Sequence, residues 1–272
     1  MRNRVSVWRR FGRITLWCVA AAAVVFALQL TVLAYPQPFF SEKAQVGTVT
    51  LYSDTKSPWP LDSLAWEADQ RLRASCLYDS DRNVRVFLFY NEGTFRFFAR
   101  LSFLRPDLQG FNLSLFGNSY INLSRIQRMA ARRADAPEFS IAEGSPVHII
   151  VHEAAHGYLA DHIGRSGWKR LPLWKQEGYP EYVANISEMR KEDGATLLKR
   201  IEILNDDEIW GGRQNRARVH YEAELLWEFL LDVKGYSIEA IIADTVTRED
   251  VYNDLMAWYA QQQPSRSESD RQ

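Results

Sequence analysis

Residues 14–35, ITLWCVAAAAVVFALQLTVLAY, hold no charged side chain over 22 positions. A helix of that length reaches roughly 33 Å, enough to cross a hydrocarbon core of about 30 Å. Ahead of it, residues 1–13 carry five arginines and no acid, which argues for a cytoplasmic N-terminus. Trp17 and Tyr35 near the ends suit the interfacial belts. The run reads as a single transmembrane signal anchor, with everything after Tyr35 extracytoplasmic, on the periplasmic side if the cell is bacterial. The rival reading is a cleaved secretory signal cut near Ala34, although signal cores usually run only about 7–15 residues. Either way the segment is excluded from the expected fold.

A net charge of −1, with no long basic run beyond the N-terminus, leaves no electrostatic case for nucleic acid. The two cysteines, Cys18 and Cys76, fall too far apart in kind and place to form a disulfide, and neither belongs to a metal-spaced pair. Cys76 is expected to be a small core residue, as free cysteines commonly are.

Residues 36–60 mix prolines with a short apolar alternation and read as a stalk, with one strand over Gly47–Tyr52. Leu61, Leu64, Ala68, Leu72 and Cys76 recur at helical spacing. VRVFLFY (84–90) is β-branched and aromatic, a strand, and NEGTFRFFARLSFL after it is helical. Two short strands flank Gly117-Asn118, a hairpin signal. After a polar linker (128–144) helices are predicted over 146–163, 173–188, 194–203, 219–233, 237–243 and 248–261. Strands first and helices afterwards make an α+β fold, a small mixed sheet followed by a mainly helical part, over residues 60–262. Residues 263–272 are expected to be a disordered tail.

Four of the five histidines lie in SPVHIIVHEAAHGYLADHIG, residues 145–164. Ser145-Pro146 is a helix-start signal and Gly164 a plausible stop. Between them His152 and His156 are four apart and share a helix face, so both imidazoles can hold one zinc ion, with Glu153 next to the first. The bare pattern H-E-x-x-H arises by chance in about one chain in 170 of this composition, so its surroundings must decide between a metal site and an ordinary polar face. His148 sits one turn before His152 and either faces the same site or, the favoured reading, is an exposed first-turn residue; His162 is given no role. A catalytic zinc needs a third protein ligand, and Glu177 and Glu181, four apart in LPLWKQEGYPEYVANI, lie on a second helix that could supply one.

His152-Glu153-Ala154-Ala155-His156, followed by Trp174-Lys175-Gln176-Glu177-Gly178 and then Glu181-Tyr182, resembles the gluzincin group of zinc metallopeptidases. The match covers residues 145–185. It implies a zincin-like peptidase domain with Zn2+ bound by His152, His156 and Glu177, and Glu153 activating zinc-bound water. It also implies that Glu181 orients a ligand histidine by hydrogen bonding, and that extended substrate lies along a sheet edge. Pro180 departs from the group's pattern: either Glu177 sits near a helix start, or the helix bends at the proline.

Such a site needs a donor for the developing oxyanion, worth roughly 3 kcal/mol. Tyr221 and His220 are the candidates, with Tyr221 preferred because its segment is similar to the tyrosine-then-helix stretch of the group. The expected function is hydrolysis of a peptide or protein substrate by a domain held at the membrane. A zinc-binding module without catalysis, or a zinc amidohydrolase acting on an envelope polymer, are the alternatives.

Overall fold

The structure is a computed structural model that describes residues 2–132, 145–189, 196–210 and 216–263. Most of the polar linker over 128–144 and the tail beyond Gln263 lie outside the described residues. The architecture is mixed α+β: a five-stranded sheet in the N-terminal half, a helical C-terminal half, and one apolar helix at the N-terminus.

Helix α1 runs Arg2–Ala34, and its stretch Arg13–Ala34 is long and apolar enough to cross a membrane, with only 6% of it buried. The strands are β1 (Glu42–Val46), β2 (Val49–Ser53), β3 (Val84–Phe89), β4 (Gly110–Leu113) and β5 (Asn118–Asn122). Their order is β1-β2-β3-β5-β4, with β2, β3 and β5 parallel and the two edge strands antiparallel to their neighbours. Helix α2 (Leu61–Arg73) links β2 to β3, and α3 (Glu92–Leu101), capped by Asn91, follows β3. Helix α4 (Leu123–Arg132) leaves β5 directly.

Successive side chains of a strand point to opposite faces. The consecutive apolar residues Val86–Phe89 of β3 therefore mean that both faces are covered there. Val84, Val86 and Leu88 join Val49, Leu51 and Ile121 in the main core, packed with α2 and the helical half. Phe87 and Phe89 join Phe95, Phe98, Phe111 and Tyr120 in a second, aromatic core on the other side.

The helical half comprises α5 (Pro146–Arg170), α6 (Leu173–Met189), α7 (Leu197–Asn205), α8 (Arg216–Glu228), α9 (Ile238–Ile242) and α10 (Arg248–Gln262), with a π-helical turn over Phe229–Val233. Helix α5 packs on α2, β4 and α6, and α6 packs on α8. Helices α6 and α8 approach closely because Gly178 has no side chain: a Cβ there would collide with the Trp227 ring and the carbonyl of Ala223.

Several expectations change. Residues 42–53, expected within a stalk with one strand, form a hairpin that supplies two strands of the sheet. Its turn needs Gly47 at φ 54°, the left-handed region. Gly164, expected to end the histidine helix, adopts φ 70° and only kinks it, and helix resumes to Arg170. Ser145 has the extended backbone of a cap, but its side chain makes no capping hydrogen bond. Cys76 is exposed, because α2 ends at Arg73 before reaching it.

The end of α1 is not separate from the fold. Leu33 is buried in the aromatic core, and its carbonyl accepts from Tyr120 Oη at 2.7 Å and Asn118 Nδ2 at 2.8 Å. The last carbonyls of a helix have no partner within it, and here side chains of the inner strand β5 satisfy one of them.

Candidate metal centre

Helix α5 places His148, His152 and His156 four residues apart on one face, turned toward α6. His152 Nε2 and His156 Nε2 are 3.0 Å apart, and Glu177 Oε2 lies 3.4 Å from each. Three protein donors around a tetrahedral zinc at about 2.0–2.1 Å are separated by about 3.3–3.4 Å. The triangle thus has nearly the dimensions of one face of such a tetrahedron, and its donors, two imidazoles and a carboxylate, suit zinc.

Pro180 does not divert the helix that supplies Glu177. Helix α6 begins at Leu173, so Glu177 sits in its second turn, and the chain continues helical through Pro180 to Met189. Glu181, one turn on, accepts from His148 Nε2 at 2.9 Å on Oε2. Its Oε1 lies 2.9 Å from His220 Nδ1 and 3.2 Å from His152 Nδ1. His152 Nδ1 and His156 Nδ1 are buried and make no hydrogen bond among the described residues.

Burial should discourage charge here, yet opposite charges dominate. Burial pulls His152 down, but Glu181 and Glu177 overcome it and hold the imidazole well above its ordinary range. Burial pushes the Glu177 carboxyl up, but hydrogen bonds and charge from His152 and His156 hold it far below the usual range. Glu181 behaves likewise, opposed by burial and held down by His152 and His148. In the cluster two buried carboxylates are thus held ionised by the imidazoles beside them. Two three-residue groups among the described residues could hold a metal ion: His148/His152/Glu181 and His152/Glu177/His220.

Glu153 points toward β4. It is buried, and a Cβ on Gly110 would fall 2.7 Å from its Oε1. Among the described residues β4 pairs only with β5, so the carboxylate lies against the helix-covered face of an edge strand.

Of the two candidate oxyanion donors, the structure brings His220 to the cluster and commits Tyr221 elsewhere. The His220 and His152 rings are 6.0 Å apart, and His220 Nδ1 is 3.7 Å from Glu177 Oε2. The Tyr221 hydroxyl donates to the main-chain oxygen of Arg200 at 3.3 Å, and its ring packs on Trp210. Of the two, His220 is the residue that faces the cluster. Consecutive residues point about 100° apart around a helix, so only one of the pair can face α6.

His148 is also corrected. It is 3% exposed, and its Nδ1 lies 3.1 Å from Asn185 Oδ1 while Nε2 meets Glu181. Its four-residue spacing to His152 put it on the same helix face, but a first-turn histidine is buried only if another helix covers that turn. His162 lies apart, 3.3 Å from Glu239.

A second buried charge group missed by the sequence reading lies behind the site. Arg200 of α7 bonds Glu224 at 2.6 Å and also pairs with Glu228, both on α8. Compared with known proteins, the chain matches no protein-family model and no curated protein sequence.

Proposed function

We propose that this chain is a membrane-anchored, extracytoplasmic zinc peptidase of the gluzincin kind, with a zincin-like domain. The observation that carries the reading is the His152–His156–Glu177 triangle with sides of 3.0, 3.4 and 3.4 Å, with Glu153 packed against the edge strand β4.

His152, His156 and Glu177 would hold the ion, and the Glu181 carboxylate, 3.2 Å from His152 Nδ1, is the group placed to orient that ring once the ion is bound. Bound there, zinc supplies Lewis acidity, which makes water acidic and polarises a carbonyl. An extended peptide pairs with the outer edge of β4, which places its main chain next to Glu153. Glu153 takes the proton of the attacking water and delivers it to the leaving amine. His220 stands beside the ligands as the donor for the developing oxyanion, a contribution of about 3 kcal/mol in comparable sites.

The test is elemental analysis of the purified full chain followed by a peptide-cleavage screen. Near-stoichiometric zinc that is lost in His156→Ala, with cleavage lost but zinc kept in Glu153→Gln, supports the reading. A folded chain that stays metal-free after reconstitution overturns it. Zinc without cleavage of any peptide would point instead to a non-catalytic module or to an amidohydrolase of envelope polymers.

A further inference from the structure

On the face of the aromatic core away from the metal cluster, α3 lies against α1. Gln29 Nε2 donates to the carbonyl of Leu101 at 2.6 Å. Gln29 is five residues before the end of the apolar span at Ala34, which corresponds to about 7–8 Å along the helix axis. If α1 crosses a bilayer, the C-terminal end of α3 therefore lies level with the last turns of the span and not above them.

The residues at that level suit such a place. Phe95, Phe98 and Ala99 of α3 face the aromatic core, while Arg96, Phe97 and Arg100 face outward. Phe97 is 47% exposed and Phe103, just past the helix, 82%. Phe39, also exposed, has its ring 6.4 Å from that of Phe97 and extends the apolar patch. An open groove between α1 and α3 is lined by Gln29, Phe97, Leu101 and Phe103, together with Arg96 and Arg100.

Backbone strain marks the same point. Helix α3 ends with Leu104 N–H bonded to Ala99 O, and Phe103 takes the left-handed position at φ 58°. Glycine is the residue usually found there, and a bulky side chain is an outlier. The chain thus holds a phenylalanine in a costly backbone conformation and turns its ring outward. Aromatic rings with flanking arginines are the chemistry of the lipid interface: the rings enter the acyl region and the guanidinium groups reach anionic headgroups.

We propose that the C-terminal end of α3, with Phe97 and Phe103, inserts into the leaflet that receives the C-terminal end of α1. The domain is then held to the bilayer at two points, and its orientation to the surface is set. The inference rests on α1 crossing a membrane and is independent of the metal reading.

A nitroxide placed by Phe103→Cys in the full chain, with Cys18→Ala and Cys76→Ser, tests it in phosphatidylcholine–phosphatidylglycerol vesicles. Matching labels at Val24→Cys, in the middle of α1, and Trp66→Cys, on the exposed face of α2, serve as references. Collisions with oxygen should exceed those with an aqueous nickel chelate at positions 103 and 24, and the ratio should invert at 66. Position 103 behaving like 66 while 24 stays in lipid overturns the inference and leaves the membrane span intact. Position 24 behaving like 66 overturns both. Spin–spin broadening at 103 that survives dilution in lipid would assign the patch to a second copy of the chain and also overturn the proposal.

Discussion

Gly110 on the edge strand and Glu153 on α5 share one space: a methyl group on Gly110 would lie 2.7 Å from the Glu153 carboxylate. The strand can approach the helix only because position 110 has no side chain, and the atom that must yield to one is the end of a flexible glutamate. Gly110→Ala is therefore expected to fold and bind zinc normally while displacing Glu153, the proposed general base. A misplacement of about 1 Å can cost on the order of 100-fold in rate. Peptide-cleavage kinetics with parallel zinc analysis check this; a fall in zinc content in step with activity would contradict it.

His148 links Asn185 to Glu181, which in turn touches His152. His148→Ala leaves a buried carboxylate without that donor and loosens the orientation of a ligand. Outer partners of this kind are worth roughly 10- to 100-fold in metal affinity. Competition with a chromogenic chelator should show zinc binding weakened by about that range, with His162→Ala unchanged.

Glu228 and Glu224 share the single guanidinium of Arg200 in a buried setting. Burial pushes the Glu228 carboxyl up to about 7, against 4.5 for the ordinary group, and Glu224 is raised by burial as well. Between those values the native chain holds a proton that the unfolded chain has released, so stability falls as pH rises from about 4.5 to 7. The loss from Glu228 has an upper bound on the order of 3 kcal/mol. Glu228→Gln should remove that part of the slope, so denaturation midpoints of variant and parent should diverge in the variant's favour from pH 5 to pH 8.

Tyr120 donates a buried hydrogen bond to the Leu33 carbonyl. In the full chain Tyr120→Phe leaves that carbonyl without one of its donors, at a cost of about 1–3 kcal/mol. In a chain starting at residue 36 the hydroxyl has lost its acceptor, and the same substitution should be close to neutral. Melting temperatures of the four proteins form the cycle; equal costs in both backgrounds would show that α1 is not docked as described.

Gly178 sits where α6 meets α8, next to Glu177, the proposed ligand. Gly178→Ala places a methyl against main chain and a buried tryptophan, neither of which can move cheaply. Overpacking of this kind costs typically about 1–3 kcal/mol. Chemical denaturation should register that loss, and zinc affinity should weaken with it because Glu177 is carried on the displaced turn.

What could be read from the sequence was local. The 22 uncharged residues of 14–35 define an apolar helix by length alone, and the four-residue spacings of His152 with His156 and Glu177 with Glu181 put each pair on one helix face whatever the rest of the chain does. The strand at 84–89 and the turn at Gly117 are equally local signals. What remained undecided depended on which faces meet. His148 and His162 lie on the same helix, yet only His148 is covered by α6. His220 and Tyr221 are neighbours, and the packing of α8 on α6 turned the first to the ligands and the second to Arg200. Residues 42–53 became part of the sheet because β2 pairs with β3, more than thirty positions away. Periodicity is set by a chain's own backbone geometry; burial of a given face is set by the surface that comes to rest on it, and that surface comes from distant parts of the sequence.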